Sequence, residues 1–252
     1  MRLHEKTALV TGATSNIGRA IAVAFAREGA HVVVSGRDAQ RGAEVVEEIR
    51  EQGGQADFVQ IDLDGSPGAS RALASRANDL LGGRIDILVN NAGIFPPATT
   101  PTTDEATFDR VFAVNVKAPF FLTATIAPQM AERGDGAIVN LGSWVARLGI
   151  PISSLYSSTK GALETLTRAW AAEFGPSGVR VNAISPGVTR ATIPEGADPA
   201  GAMMRGTPAG ASGAPDAIAH AAVYLASDEA AFVHGTVVDV DGGRVGVAVI
   251  AA

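Results

Sequence analysis

Tyr156-Ser157-Ser158-Thr159-Lys160 sets a phenol and an ammonium four residues apart, on one face of any helix that carries them. A cation beside a phenol favours the phenolate, drawing it from its reference pKa of about 10 toward the range useful for proton transfer. Alone, such a pair is common by chance and usually just an ordinary helix face. Ser143 stands thirteen residues upstream, just after the apolar run 137–141, which reads as a strand. Strand ends at the carboxyl edge of a parallel sheet are where ligands bind.

A second group of residues could hold an anion. The run 8–10 ends in Thr11-Gly12-Ala13-Thr14-Ser15-Asn16-Ile17-Gly18 and leads straight into a helical stripe. A glycine turn there lets backbone approach a pyrophosphate, and the helix N-terminus offers free N–H groups and positive potential. An ordinary strand–helix turn can also contain Gly12 and Gly18. Asn16 interrupts the glycine pattern, but Asn is the non-Gly residue that best tolerates a left-handed backbone, so the turn is expected to keep its shape.

These residues need a frame, and the chain supplies one by alternation. Strand-like runs stand at 8–10, 31–35, 57–61, 85–89, 137–141, 180–183 and 237–240, and several are apolar almost throughout, which suits strands covered on both faces. Helical stripes at 17–28, 39–51, 69–81, 108–130, 155–174 and 215–225 separate them, and Pro119 and Pro128 are expected to break the fourth. The pattern predicts one α/β domain over 1–252: a Rossmann-like, doubly wound, seven-stranded parallel sheet with helices on both faces. The stretch 187–214, rich in Gly, Pro and Ala, reads as a substrate loop over about 188–212.

Composition narrows the chemistry. Zero Cys among 252 residues excludes thiolate catalysis and Cys-ligated metal, and no run of 18 uncharged apolar residues suggests a membrane span. Twenty Lys+Arg against 26 Asp+Glu give a net charge of −6, the wrong sign for generic nucleic-acid affinity. Residues 1–10 lack the apolar core of a signal peptide, so a cytoplasmic location is expected. His4, His31, His220 and His234 have no helical zinc spacing, and no metal site is expected; Ser143 lacks the Gly-x-Ser-x-Gly setting of a hydrolase nucleophile.

Together the motifs resemble the short-chain dehydrogenase/reductase family, and in particular 3-oxoacyl-carrier-protein reductases and related sugar and alcohol dehydrogenases. The turn at 11–18 is similar to that family's Thr-Gly-x3-Gly-x-Gly, with Asn16 at the middle glycine, and Asn90-Asn91-Ala92-Gly93, Pro186-Gly187 and Asp241-Gly242-Gly243 follow in the family's order. The resemblance implies a catalytic set of Asn115, Ser143, Tyr156 and Lys160. In it Tyr156 is general acid or base, Lys160 binds the nicotinamide ribose and lowers the Tyr156 pKa, Ser143 donates to the substrate oxygen, and Asn115 completes a water relay. It implies cofactor contacts from Gly12, Thr14, Ser15, Asn16, Ile17 and Gly18 in the turn, and from Asp62 with Leu63 at the adenine. Asn91, Ala92 and Gly93, then Tyr156 and Lys160, then Pro186, Gly187, Val188 and Thr189 complete the implied set.

Cofactor choice turns on Gly36-Arg37-Asp38, where a Rossmann-like strand end faces the adenosine ribose. Gly36 offers no carboxylate to a 2′-hydroxyl, and the Arg37 fork suits a 2′-phosphate, which predicts NADP(H) with NAD(H) still usable; the competing reading gives the ribose to Asp38. Phe95, Trp144, Leu148 and Ile150 are candidates for an apolar pocket wall taking a small ketone or secondary alcohol. Ala211 stands where the acyl-carrier reductases commonly have Arg. The apolar tail 245–252 suits burial between subunits, and the family resemblance implies a homotetramer or homodimer. A catalytically silent cofactor-binding regulator and a sugar-nucleotide epimerase are the other readings of such a chain.

Overall fold

The central strands form where β-branched and aliphatic residues run with little polar interruption. The computed structural model describes residues 1–151, 153–191 and 199–248, and within them seven strands make one parallel sheet. They are β1 (Thr7–Val10), β2 (His31–Gly36), β3 (Gln55–Gln60), β4 (Ile87–Asn90), β5 (Gly136–Leu141), β6 (Val179–Pro186) and β7 (Val237–Val240), ordered β3-β2-β1-β4-β5-β6-β7. The helices are α1 (Asn16–Arg27), α2 (Ala39–Glu51), α3 (Pro67–Leu80), α4 (Glu105–Phe112), α5 (Ala118–Arg133), α6 (Ser154–Phe174), α7 (Pro199–Ala202) and α8 (Pro215–Ala226).

Why the strands read as continuous apolar runs is visible in the two cores. Val10, Val34, Val89 and Val139 pack on one face beside Ile21 and Phe25 of α1, Val45 and Ile49 of α2, and Ile218 and Ala222 of α8. Leu9, Val33, Leu88 and Ile138 point the opposite way, against Leu73 of α3, Leu122 and Met130 of α5, and Leu163 and Trp170 of α6. A period of two inside an all-apolar run is what a sheet covered on both faces requires. Strand order reverses between β1 and β4, which opens a crevice at their carboxyl ends.

The fourth helix departs from expectation. It does not break at Pro119 or Pro128. α4 and α5 are joined through a π-helical turn, Ala113–Lys117, and Pro119 follows it at the start of α5. Pro128 lies inside α5, which continues to Arg133. The run 105–133 is long and apolar enough to cross a bilayer, yet its Leu122, Ile126 and Met130 are buried in the second core. β6 also extends beyond 180–183, because Ser185 and Pro186 pair with Asp239 and Val240 of β7.

Candidate active site

The glycine turn is lashed to β4 by side chains. Thr11 Oγ1 donates to Val89 O at 3.0 Å and accepts the N–H groups of Asn91 and Ala92, each at 3.0 Å. Asn91 Nδ2 in turn donates to the carbonyls of Thr11 (2.8 Å) and Gly12 (3.0 Å). Gly12 has φ +62, and a Cβ there would fall 2.8 Å from Ala92 Cα, so this approach admits glycine alone. Asn16 holds φ 46, the left-handed region. Ser15 caps α1 without a side-chain hydrogen bond, and no acid occupies the first turn. Bare backbone, unspent N–H groups and positive potential fit a pyrophosphate.

This turn floors a cleft of about 540 Å³. At one end lie Gly36, Arg37, Asp38 and Arg41, followed by Asp62 and Leu63; at the other lie Gly93, Ser143, Tyr156, Lys160, Pro186, Gly187 and Thr189. Thr14, Ser15, Asn16, Ile17, Gly18, Asn91 and Ala92 line the span between. The sequence-based set therefore converges here except for Asn115 and Val188. Val188 lines an adjoining hollow with Met204 and Asp241. Asn115 sits behind the cleft wall, in the π turn, fully buried. Its Oδ1 accepts Ile94 N–H at 2.8 Å, and its Nδ2 donates to Ile94 O (3.0 Å) and Thr159 Oγ1 (3.1 Å). Both side-chain N–H groups are committed, so the side chain clamps Ile94 and Thr159 to the π turn.

The catalytic end corrects a second expectation. Lys160 Nζ donates to Leu141 O at 2.6 Å and stands 5.5 Å from the centre of the Tyr156 ring. Burial pushes Tyr156 up to about 12, with hydrogen bonding to Ser143 opposing, so this phenol is raised rather than lowered. Burial also brings Lys160 down to about 8, against the pull of Glu164. Ser143 caps the 3-10 turn Trp144–Ala146, its Oγ accepting Val145 N–H at 3.5 Å.

At the other end, Asp38 is spent on α2. Its carboxylate accepts Arg41 N–H at 3.0 Å and Arg41 Nε at 2.7 Å, and these bonds hold it below the usual carboxylate range. Arg37 makes no ion pair or side-chain hydrogen bond among the described residues. Asp62, expected at the adenine, accepts Arg110 Nη2 on both oxygens, at 2.8 and 3.0 Å.

Arg41, Arg110, Val114 and Leu141 line the cleft without having been singled out from sequence. The Asp38–Arg41 capping interval was the available signal for Arg41; Arg110 had none, because its partner lies 48 residues away. Of the proposed pocket wall, Phe95 lines the cleft, its ring edge-on to Tyr156 at 4.9 Å. Trp144 does not: it is buried, with the Arg244 guanidinium 5.2 Å from its ring centre. Leu148 and Ile150 are half-buried outside the cleft, and Arg147 is paired with Asp239. Residues 192–198 of the expected substrate loop and 249–252 of the apolar tail lie outside the described residues.

A glycine turn at the switch point of a parallel sheet defines a dinucleotide-binding fold. Residues 12–244 match the profile of a family described as enoyl-(acyl carrier protein) reductase. A solved short-chain dehydrogenase/reductase family protein is 47% identical, with a TM-score of 0.87 covering 98% of this chain and 100% of that one. A cyclopentanol dehydrogenase of Comamonas sp. (strain NCIMB 9872) is 34% identical over 96% of this chain and 98% of its own. The structure of a 7α-hydroxysteroid dehydrogenase complexed with NADH and 7-oxo glycochenodeoxycholic acid is 38% identical, with a TM-score of 0.89 covering 96% of this chain and 95% of that one. The chain belongs to the short-chain dehydrogenase/reductase family of NAD(P)-dependent oxidoreductases.

Proposed function

We propose that this oxidoreductase interconverts an apolar ketone and its secondary alcohol and prefers NADP(H), with NAD(H) usable. The observation that carries the reading is the convergence of Ser143, Tyr156 and Lys160 on the cleft floored by the glycine turn. Gly12 to Gly18 would hold the pyrophosphate, Asp62 and Leu63 the adenine, and Lys160 and Thr189 the nicotinamide half. The nicotinamide, when bound, supplies the hydride. Tyr156, kept protonated by burial, gives its phenol proton to the carbonyl oxygen in reduction and takes it back in oxidation. Ser143 donates a hydrogen bond to the same oxygen, where negative charge grows. Asn115 keeps the 93–95 wall in place through Ile94.

Arg37, which has no ion-pair partner among the described residues and lies beside the carboxylate-free Gly36, supports the NADP(H) preference, and the engagement of Asp38 with Arg41 weighs against the competing ribose contact. The exposed Phe95 ring beside Tyr156 supports an apolar substrate, as does the cyclic alcohol named for the Comamonas relative. Exposed Phe108 and Phe120, stacked on Phe112 and tilted against Trp170, support a homo-oligomer, a tetramer or a dimer. The test is a panel of cyclic ketones and secondary alcohols followed by reduced-nicotinamide absorbance. Turnover that prefers NADP(H) supports the reading; cofactor binding without turnover on any substrate favours the silent regulator.

A further inference from the structure

One buried acid has no part in the reaction as derived. Glu164 lies four residues beyond Lys160 on α6, hence on the same helix face, and is 5% exposed. Its Oε1 accepts no hydrogen bond. That oxygen rests against the end of β5, where a Cβ on Gly142 would meet it at 2.9 Å. Oε2 lies 3.7 Å from Arg147 Nε, and Arg147 is tied to Asp239 of β7 through Nη1 at 3.0 Å. A carboxylate buried with half its acceptors unspent is costly to the fold, and such groups concentrate where charge is used.

We infer that Glu164 is a positioning residue, whose charge, anchored by Arg147, keeps the buried Lys160 an ammonium facing the cleft. Lys160 is 4% exposed, and its one hydrogen-bond acceptor is the neutral Leu141 carbonyl. Burial acts against its charge, and Glu164 is the charged group that acts for it; the other titratable neighbour is the Tyr156 phenol. Glu164 is itself pushed up by burial; Arg147 opposes this first, Asp239 raises it further, and Arg168 and the backbone N–H of Ser143 add to the opposition. Asp241 and Asp239 both support the charge on Arg147. A cation supplied by a different element thus favours the ionised form of Glu164, one helical turn from Lys160.

The inference rests on Lys160 acting in the reaction as proposed above. Its test is the pH dependence of NADPH binding, followed by fluorescence, and of kcat/KM, in the parent and in Glu164→Gln. In the parent both fall as pH rises through about 8, where Lys160 loses its proton. In Glu164→Gln that alkaline limb moves down by about one pH unit, the effect of losing an opposite charge one helical turn away. Glu164→Asp and Glu164→Asn share one shortened side chain and differ in charge alone. Their limbs separate in the same direction, whatever the cavity does to stability. Equal limbs in the Asp and Asn variants overturn the inference. If Tyr156→Phe is inactive while those limbs coincide, the inference fails and the proposed reaction stands; a fully active Tyr156→Phe overturns both.

Discussion

Replacing Arg37 by Ala isolates cofactor choice. Gly36→Asp is a poorer probe, because its Cβ would fall 2.6 Å from Thr14 Cγ2 and disturb the glycine turn as well. Arg37 has no ion-pair partner among the described residues, so its removal orphans no buried acid and leaves the fold's ion pairs in place. A charge-assisted hydrogen bond to a phosphate contributes about 1.5–3 kcal/mol. Arg37 is exposed to solvent, which trims the effect toward the lower figure. About 1.4 kcal/mol is tenfold in affinity, so the ratio of kcat/KM for NADPH over NADH should drop about tenfold in Arg37→Ala. Arg41→Ala should move the ratio the same way for a second reason, since it frees the Asp38 carboxylate that Arg41 now holds at 2.7 Å. Initial rates against both cofactors on one ketone, at low and high salt, measure this. A parent that prefers NADH, or a ratio unmoved in Arg37→Ala, refutes the reasoning.

Three further outcomes follow from the turn and from Tyr156. Gly18→Ala places a methyl 2.3 Å from the Gly12 carbonyl oxygen; the turn must shift, and NADPH affinity measured by titration should fall about 100-fold, while unchanged affinity would mean the turn yields freely. Asn16→Gly relieves a left-handed non-glycine but frees the unfolded chain, so thermal unfolding should shift by less than about 1 kcal/mol with cofactor affinity held or slightly tightened. A sharp loss of affinity there would reveal a side-chain contact with the cofactor. Burial keeps Tyr156 protonated, with its pKa at about 12, so the pH optimum for alcohol oxidation should lie above that for ketone reduction. Coincident optima would contradict that proton's role.

What could be read from the sequence was whatever is local in the chain. Val32-Val33-Val34 and Ile87-Leu88-Val89 announce strands because both sheet faces are covered, and Gly12 to Gly18 announces its turn because glycine is required there. Tyr156 and Lys160 share a helix face by spacing alone. Less legible was whatever depends on distant partners. Pro128 marks no break, because packing of Leu122, Ile126 and Met130 outweighs one lost helical bond. Asn115 could not declare its clamp, since Ile94 and Thr159 are brought to it by the π turn. The upward shift of Tyr156 had no signature either: spacing places the ammonium on the same helix face, but the burial that drives the shift is set by tertiary packing.

The central claim is that Tyr156 carries the transferred proton, and Tyr156→Phe tests it most directly. The substitution removes one oxygen and leaves the ring against Phe95 and beneath Lys160. Measured on the best ketone of the panel, kcat should fall by about 10²–10⁴-fold, with NADPH affinity and thermal unfolding close to the parent's. A Phe variant that keeps most of the parent's kcat would contradict the account.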